Sequence, residues 1–98
     1  MAIRQKGGKH DPVAQRLRLL RKAVFGENST AFAARLGISM QRMNNFENGY
    51  PLSLEVAARI RAAVPGMTLD WLFFGDERAL PLDLVQRLRS AHRSSRGD

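Results

Sequence analysis

Cysteine is absent from this 98-residue chain, and tryptophan and tyrosine occur once each. Without cysteine there can be no disulfides and no thiolate metal sites. No apolar run approaches the roughly 20 residues that cross a bilayer as a helix. The basic, polar start has no apolar stretch behind it and does not read as a secretory signal, so a cytoplasmic location is expected. Only two histidines are present, His10 and His92, one near each end, and no triad or metal set can be assembled around them. Gly7-Gly8-Lys9 lacks the strand, the spacing and the following Ser or Thr of a phosphate-binding loop. The expectation is a non-enzyme with no metal, no cofactor and no membrane partner. No segment alternates apolar and polar residues, so no sheet is expected, and no internal repeat is found. A chain of this length allows one domain with one modest core, leaving no room for a separate domain that senses a small-molecule ligand.

What the chain has in excess is positive charge, with a formal net of +7 and a pI near 11.3. That balance favours a polyanionic partner, either nucleic acid or an acidic membrane surface. No long basic amphipathic helix with an exposed aromatic face supports the membrane option. Residues 1–28 carry seven cations against two acids, residues 29–80 five of each, and residues 81–98 four against two. Basic ends therefore flank a neutral middle. Basic ends can also serve solubility alone.

Residues 1–11 combine a Gly-Gly pair with cations and read as a flexible basic arm carrying Arg4, Lys6 and Lys9. Asp11-Pro12 supplies an N-cap and a proline at the first helical position. Val13, Leu17, Leu20 and Val24 recur at helical spacing until about Phe25, and Gly26 stops the helix. Asn28 or Ser29 caps a second helix with Phe32, Ala33 and Leu36 on its apolar face, ended by Gly37. Ser39 caps a third, from Met40 to about Glu47, with Met43 and Phe46 inward. Asn48 to Pro51 reads as a turn. A fourth helix follows Ser53, with Leu54, Ala57, Ala58, Ile60 and Val64 expected inside, and Pro65-Gly66 terminates it. Thr68 caps a short fifth helix with Leu69, Trp71, Leu72 and Phe73, stopped by Gly75. Pro81 opens a sixth, with Leu82, Val85 and Leu88 at helical spacing and Leu84 adjoining, expected to fray from about Ser90.

The junction of the second and third helices carries the most information. Two helices crossing steeply over a tight turn need a small residue at their closest approach, which Ala33 supplies. They also need a turn residue tolerant of positive φ, which Gly37 supplies four positions on. Ile38 plugs the gap beneath, and Met43 and Phe46 anchor the third helix. Met40, Gln41, Arg42, Asn44 and Asn45 are left pointing outward.

The segment FAARLGISMQRMNNFENG (32–49) resembles the helix-turn-helix of the Xre/Cro family, which contains the lambdoid phage repressors. MTLDWLFFGDERALP (67–81) is similar to the fifth helix of those repressors and of short bacterial Xre-type regulators. The resemblance covers roughly residues 13–81. It implies an all-α, compact, five-helix lambda-repressor-like DNA-binding domain over residues 12–80, with its helix-turn-helix at helices 2–3. An additional C-terminal helix over residues 81–91 and a polar tail over residues 92–98 complete the chain. The family usually carries Gln where Ser29 stands, and the junction AVFGEN (23–28) is one residue longer than its commonest form.

By that resemblance, Met40, Gln41, Arg42 and Asn45 meet base edges in the major groove. Gln41 suits adenine, Arg42 guanine or a phosphate, and Met40 a thymine methyl. Ser29, Ser39, Asn44, Asn48 and Tyr50 are the expected phosphate contacts, Asn48 serving equally as a turn former. The arm either follows the DNA or stays solvated. Glu47 is expected to pair with Arg21 or Lys22, as the family's glutamate commonly does. The implied protein is a sequence-specific transcriptional regulator, in this family most often a repressor, binding a palindromic operator as a homodimer and nucleoid-associated when bound. The last helix with helix 5, where Phe74 is the candidate contact, forms the dimer interface or else caps its own core. The alternative is a protein-interaction module, antiactivator-like or antitoxin-like, that uses the same fold to hold a protein partner. The neutral middle and the missing Gln favour it, while the acid-free run from Met40 to Asn45 favours DNA.

Overall fold

The structure, a computed structural model, describes residues 8, 10–26 and 28–96, with backbone alone for residues 95 and 96. The described residues form six helices and no strand. They are α1 (Pro12–Phe25), α2 (Ser29–Leu36), α3 (Met40–Glu47), α4 (Leu54–Ala63), α5 (Leu69–Phe74) and α6 (Leu82–Arg96). The basic residues Arg4, Lys6 and Lys9 lie outside the described residues.

Each of the first five helices starts where a short polar side chain can accept from an otherwise unpaired backbone N–H. Asp11 accepts from Ala14 N at 3.2 Å, Asn28 from Ala31 N at 2.9 Å and Ser39 from Arg42 N at 3.1 Å. Ser53 accepts from Val56 N at 3.2 Å and Thr68 from Trp71 N at 3.1 Å. The second helix is thus capped by Asn28, with Ser29 as its first residue.

α1 is the central element and touches α2, α3, α5 and α6, while α4 lies against α2 and α5. Leu17, Leu20, Phe32, Met43, Val56, Ile60 and Leu72 are fully buried between them, and Trp71 is 5% exposed. The Cα radius of gyration is 12.8 Å, against about 13 Å for a folded chain of this size. Among the described residues no buried side-chain nitrogen or oxygen lacks a hydrogen-bond partner, and no helix is long and apolar enough to cross a membrane.

Three apolar residues expected inside are outside. Leu54 is 68% exposed, Leu82 is 71% exposed and Ala58 is also exposed. In α4 the buried stripe is Val56, Ile60 and Val64 with Ala57, at four-residue spacing, and both Leu54 and Ala58 sit two positions off it. In α6 the buried set is Leu84, Val85 and Leu88, and Leu82, in the first turn, stands off it. That helix also runs through Arg96 rather than ending near Ala91. No glycine or proline interrupts the sequence between Pro81 and Gly97, and the late cation Arg93 suits the negative end of the helix dipole.

Candidate nucleic-acid interface

The surface of α3 is set by how its two ends are held. At its start, α2 closes on Gly37 in the left-handed conformation (φ 70°, ψ 31°), whose N–H turns back to the carbonyls of Ala33 and Ala34. Arg59 of α4 donates from Nη1 to Leu36 O at 3.1 Å and to Gly37 O at 3.4 Å, while Nη2 meets Glu55 at 2.9 Å. The guanidinium thus satisfies carbonyls that the end of α2 leaves unpaired and fixes the turn leading into α3. Ile38 packs partly against the core. Ser39 uses its oxygen as an acceptor in capping α3, which leaves its O–H free to donate outward.

At the other end, Arg21 of α1 donates from Nε to Glu47 Oε2 at 2.9 Å, and Arg18 donates to the Glu47 carbonyl. Glu47, expected to pair with Arg21 or Lys22, pairs with Arg21 and is turned inward, so its carboxylate does not face the α3 surface. Past Glu47, Asn48 donates from Nδ2 to Asn44 O at 2.7 Å and Tyr50 N donates to Asn45 O at 3.0 Å, closing the turn. Gly49 has φ 103°, and a Cβ there would collide with the backbone of Gly8. The chain entering α1 thus lies against the loop that leaves α3.

Between these anchors, Met43 and Phe46 face the core, and Gln41, Arg42, Asn44 and Asn48 are exposed. Gln41, Asn44, Asn45 and Asn48 share one helical face and span roughly 10 Å. Arg42 holds its guanidinium 5.6 Å from the centroid of the Phe46 ring, which steadies the side chain while leaving its donors outward. Asn45 is half-buried, and Met40 packs partly against the core, so it presents less surface than its outward expectation. Ser39 and Tyr50 are exposed at the two ends of this face. Ser29 stands on a different element, half-buried at the first residue of α2.

The face is made of amide, hydroxyl and guanidinium groups, with no carboxylate. It can donate to anionic oxygens, and its amides can both donate and accept at once, as base edges require. Among the described residues no group of three or more His, Asp or Glu side chains is placed to hold a metal ion.

Three positioning arginines escaped the sequence reading. Arg59 and Arg18 act on α3 through backbone carbonyls, and Arg16 donates from Nε to Leu72 O at 2.8 Å, tying α1 to α5. Burial pushes the Arg16 pKa down, with Asp11 opposing. Their acceptors are 22 to 56 residues away in sequence, so no local pattern marks them.

No family model, curated protein or solved structure matches the chain.

Proposed function

We propose that this protein is a sequence-specific double-stranded DNA-binding regulator of the Xre/Cro type, acting as a repressor in the cytoplasm and without enzymatic activity. In this reading α2, the Gly37 turn and α3 are the helix-turn-helix of a lambda-repressor-like domain, and α3 enters the major groove. The observation that carries it is the exposed, carboxylate-free face of α3, held at both ends by Arg59, Arg21 and Arg18. Gln41 and Arg42, in its first turn, read bases. Ser39, Asn44, Asn48 and Tyr50 contact phosphates, and Ser29 adds a contact from the start of α2.

A single α3 reaches only a few base pairs, so the reading includes a homodimer on an inverted repeat. The apolar stripe of α6 is spent on α1, which leaves Phe74 (80% exposed) and Leu82 (71% exposed) as the large apolar side chains open on α5 and α6.

Amide shift mapping during titration with a random-sequence duplex tests the proposal. Perturbations gathered on residues 39–50 and at Ser29 are expected. Perturbations confined to α1 and α6, with α3 silent, would contradict it.

A further inference from the structure

The outward face of α3 is built of amides. Among the described residues the side chains of Gln41, Asn44 and Asn45 have no hydrogen-bond partner, while Asn48 spends its Nδ2 on Asn44 O. Gln41 and Asn45 stand one helical turn apart, about 40° from each other around the axis and about 6 Å along it. The Asn45 backbone is fixed, because its carbonyl accepts from Asn48 N at 3.2 Å and from Tyr50 N at 3.0 Å. Half-burial narrows the directions its side chain can take. Arg42, the one cation of α3, stands about a quarter turn from Gln41 and lies over the Phe46 ring.

An amide presents an acceptor and a donor side by side. In the major groove only adenine offers the matching pair, an N6–H donor beside the N7 acceptor. Guanine offers two acceptors there, cytosine one donor, and thymine one acceptor and a methyl. We propose that Gln41 and Asn45 each read an adenine, about two base pairs apart in the half-site at roughly 3.4 Å per pair, and that an operator carrying N6-methyladenine at either position is refused. The inference rests on the DNA-binding reading and names the bases, and the regulation, of that same site. Watson–Crick pairing takes one N6 hydrogen and the reading amide takes the other. In N6-methyladenine a methyl group replaces that second hydrogen and stands where the amide must sit. The contact then loses its donor, and the amide oxygen is left unpaired against an apolar group.

The test is fluorescence anisotropy of the full chain with the duplex it enriches from a random library. That duplex is synthesised unmodified, with N6-methyladenine at each half-site adenine in turn, and with N6-methyladenine outside the half-sites. Each half-site is expected to hold two adenines about two base pairs apart. Methylation of either is expected to weaken binding about tenfold, and methylation outside the half-sites to leave it unchanged. Gln41→Ala is expected to remove the methyl effect at one adenine and Asn45→Ala at the other. If Asn45→Ala fails to melt cooperatively, Asn45→Ser takes its place. A folded parent that enriches no site would overturn the DNA-binding reading and this inference with it. Three results would overturn this inference alone and leave the reading standing: half-sites without the adenine pair, equal binding of methylated and unmethylated duplexes, or folded variants that keep both methyl effects.

Discussion

Arg21 Nε lies 2.9 Å from Glu47 Oε2, with the two side chains only 10% and 9% exposed. This pair joins the middle of α1 to the last residue of α3, so the candidate reading helix is oriented by a buried charge pair as well as by Met43 and Phe46. Removing one partner strands the other charge. Glu47→Gln is expected to destabilise the fold by about 3 kcal/mol, seen as a lower urea midpoint with an unchanged slope. Arg21→Met combined with Glu47→Leu is expected to recover most of that loss, because paired apolar replacements of similar volume are tolerated. A Glu47→Gln protein as stable as the parent would show that the pair does not hold α3.

Gly49 meets two constraints at once, a left-handed φ of 103° and the backbone of Gly8 against its Cα. Gly49→Ala is expected to push the chain at Gly8 off the loop and to destabilise by about 1–2 kcal/mol. Gly37→Ala faces a milder neighbour, since its Cβ would lie 3.3 Å from the flexible Nη1 of Arg59. The Gly8 amide resonance should therefore move in the first variant and stay in place in the second.

Asp76 accepts from the backbone N of Arg78 at 3.0 Å and from its Nη2 at 2.7 Å. Those bonds, the side-chain ones first, lower the carboxyl pKa from 3.8 to about 2. A depressed acid stabilises the fold above its unfolded pKa and loses that contribution as pH falls through its folded one. The Asp76 contribution should therefore be present at neutral pH and vanish as pH falls from 3.8 toward 2. A carboxyl titration by NMR with a midpoint at the ordinary value would contradict the linkage, as would a parent and an Asp76→Asn variant with identical acid limbs.

Helix starts were legible in the sequence because they are local: Asp11-Pro12, Ser39, Ser53 and Thr68 each sit next to the N–H groups they cap, and for α2 the choice lay between the adjacent Asn28 and Ser29, of which Asn28 is the cap. The inward faces of α1, α2, α3 and α5 were legible from periodicity. In α4 and α6 the same reasoning went astray, because those helices offer more apolar residues than one buried face can take. Only the tertiary contacts decide that Val56 and Leu84 go in while Leu54 and Leu82 stay out. At the candidate site, the Glu47 partner, as Arg21 or Lys22, was implied only by the family resemblance, whereas the exposed run on α3 could be read from spacing. The guanidinium bonds of Arg16, Arg18 and Arg59 could not, because each ends on a backbone carbonyl, which carries no sequence signature. The partial burial of Met40 depends likewise on how α3 is seated.

Base reading and phosphate contact should separate in mutants. Gln41→Ala is expected to lose roughly 1–3 kcal/mol at the preferred duplex and to relax base preference, with little change on random DNA. Lys6→Ala, in the basic arm, is expected to weaken all duplexes alike and to reduce the salt slope by about one. Anisotropy titrations at several salt concentrations check both. Identical behaviour of the two variants on preferred and random DNA would remove the division of roles.

The most direct test of the central claim is selection from a random duplex library by the intact protein and by a variant carrying Gln41→Ala and Arg42→Ala. The account predicts that the parent enriches an inverted repeat with half-site centres about one helical turn apart, and that the folded double variant enriches none. A folded parent that enriches nothing, or a double variant that enriches the same repeat, would contradict the claim that α3 reads DNA.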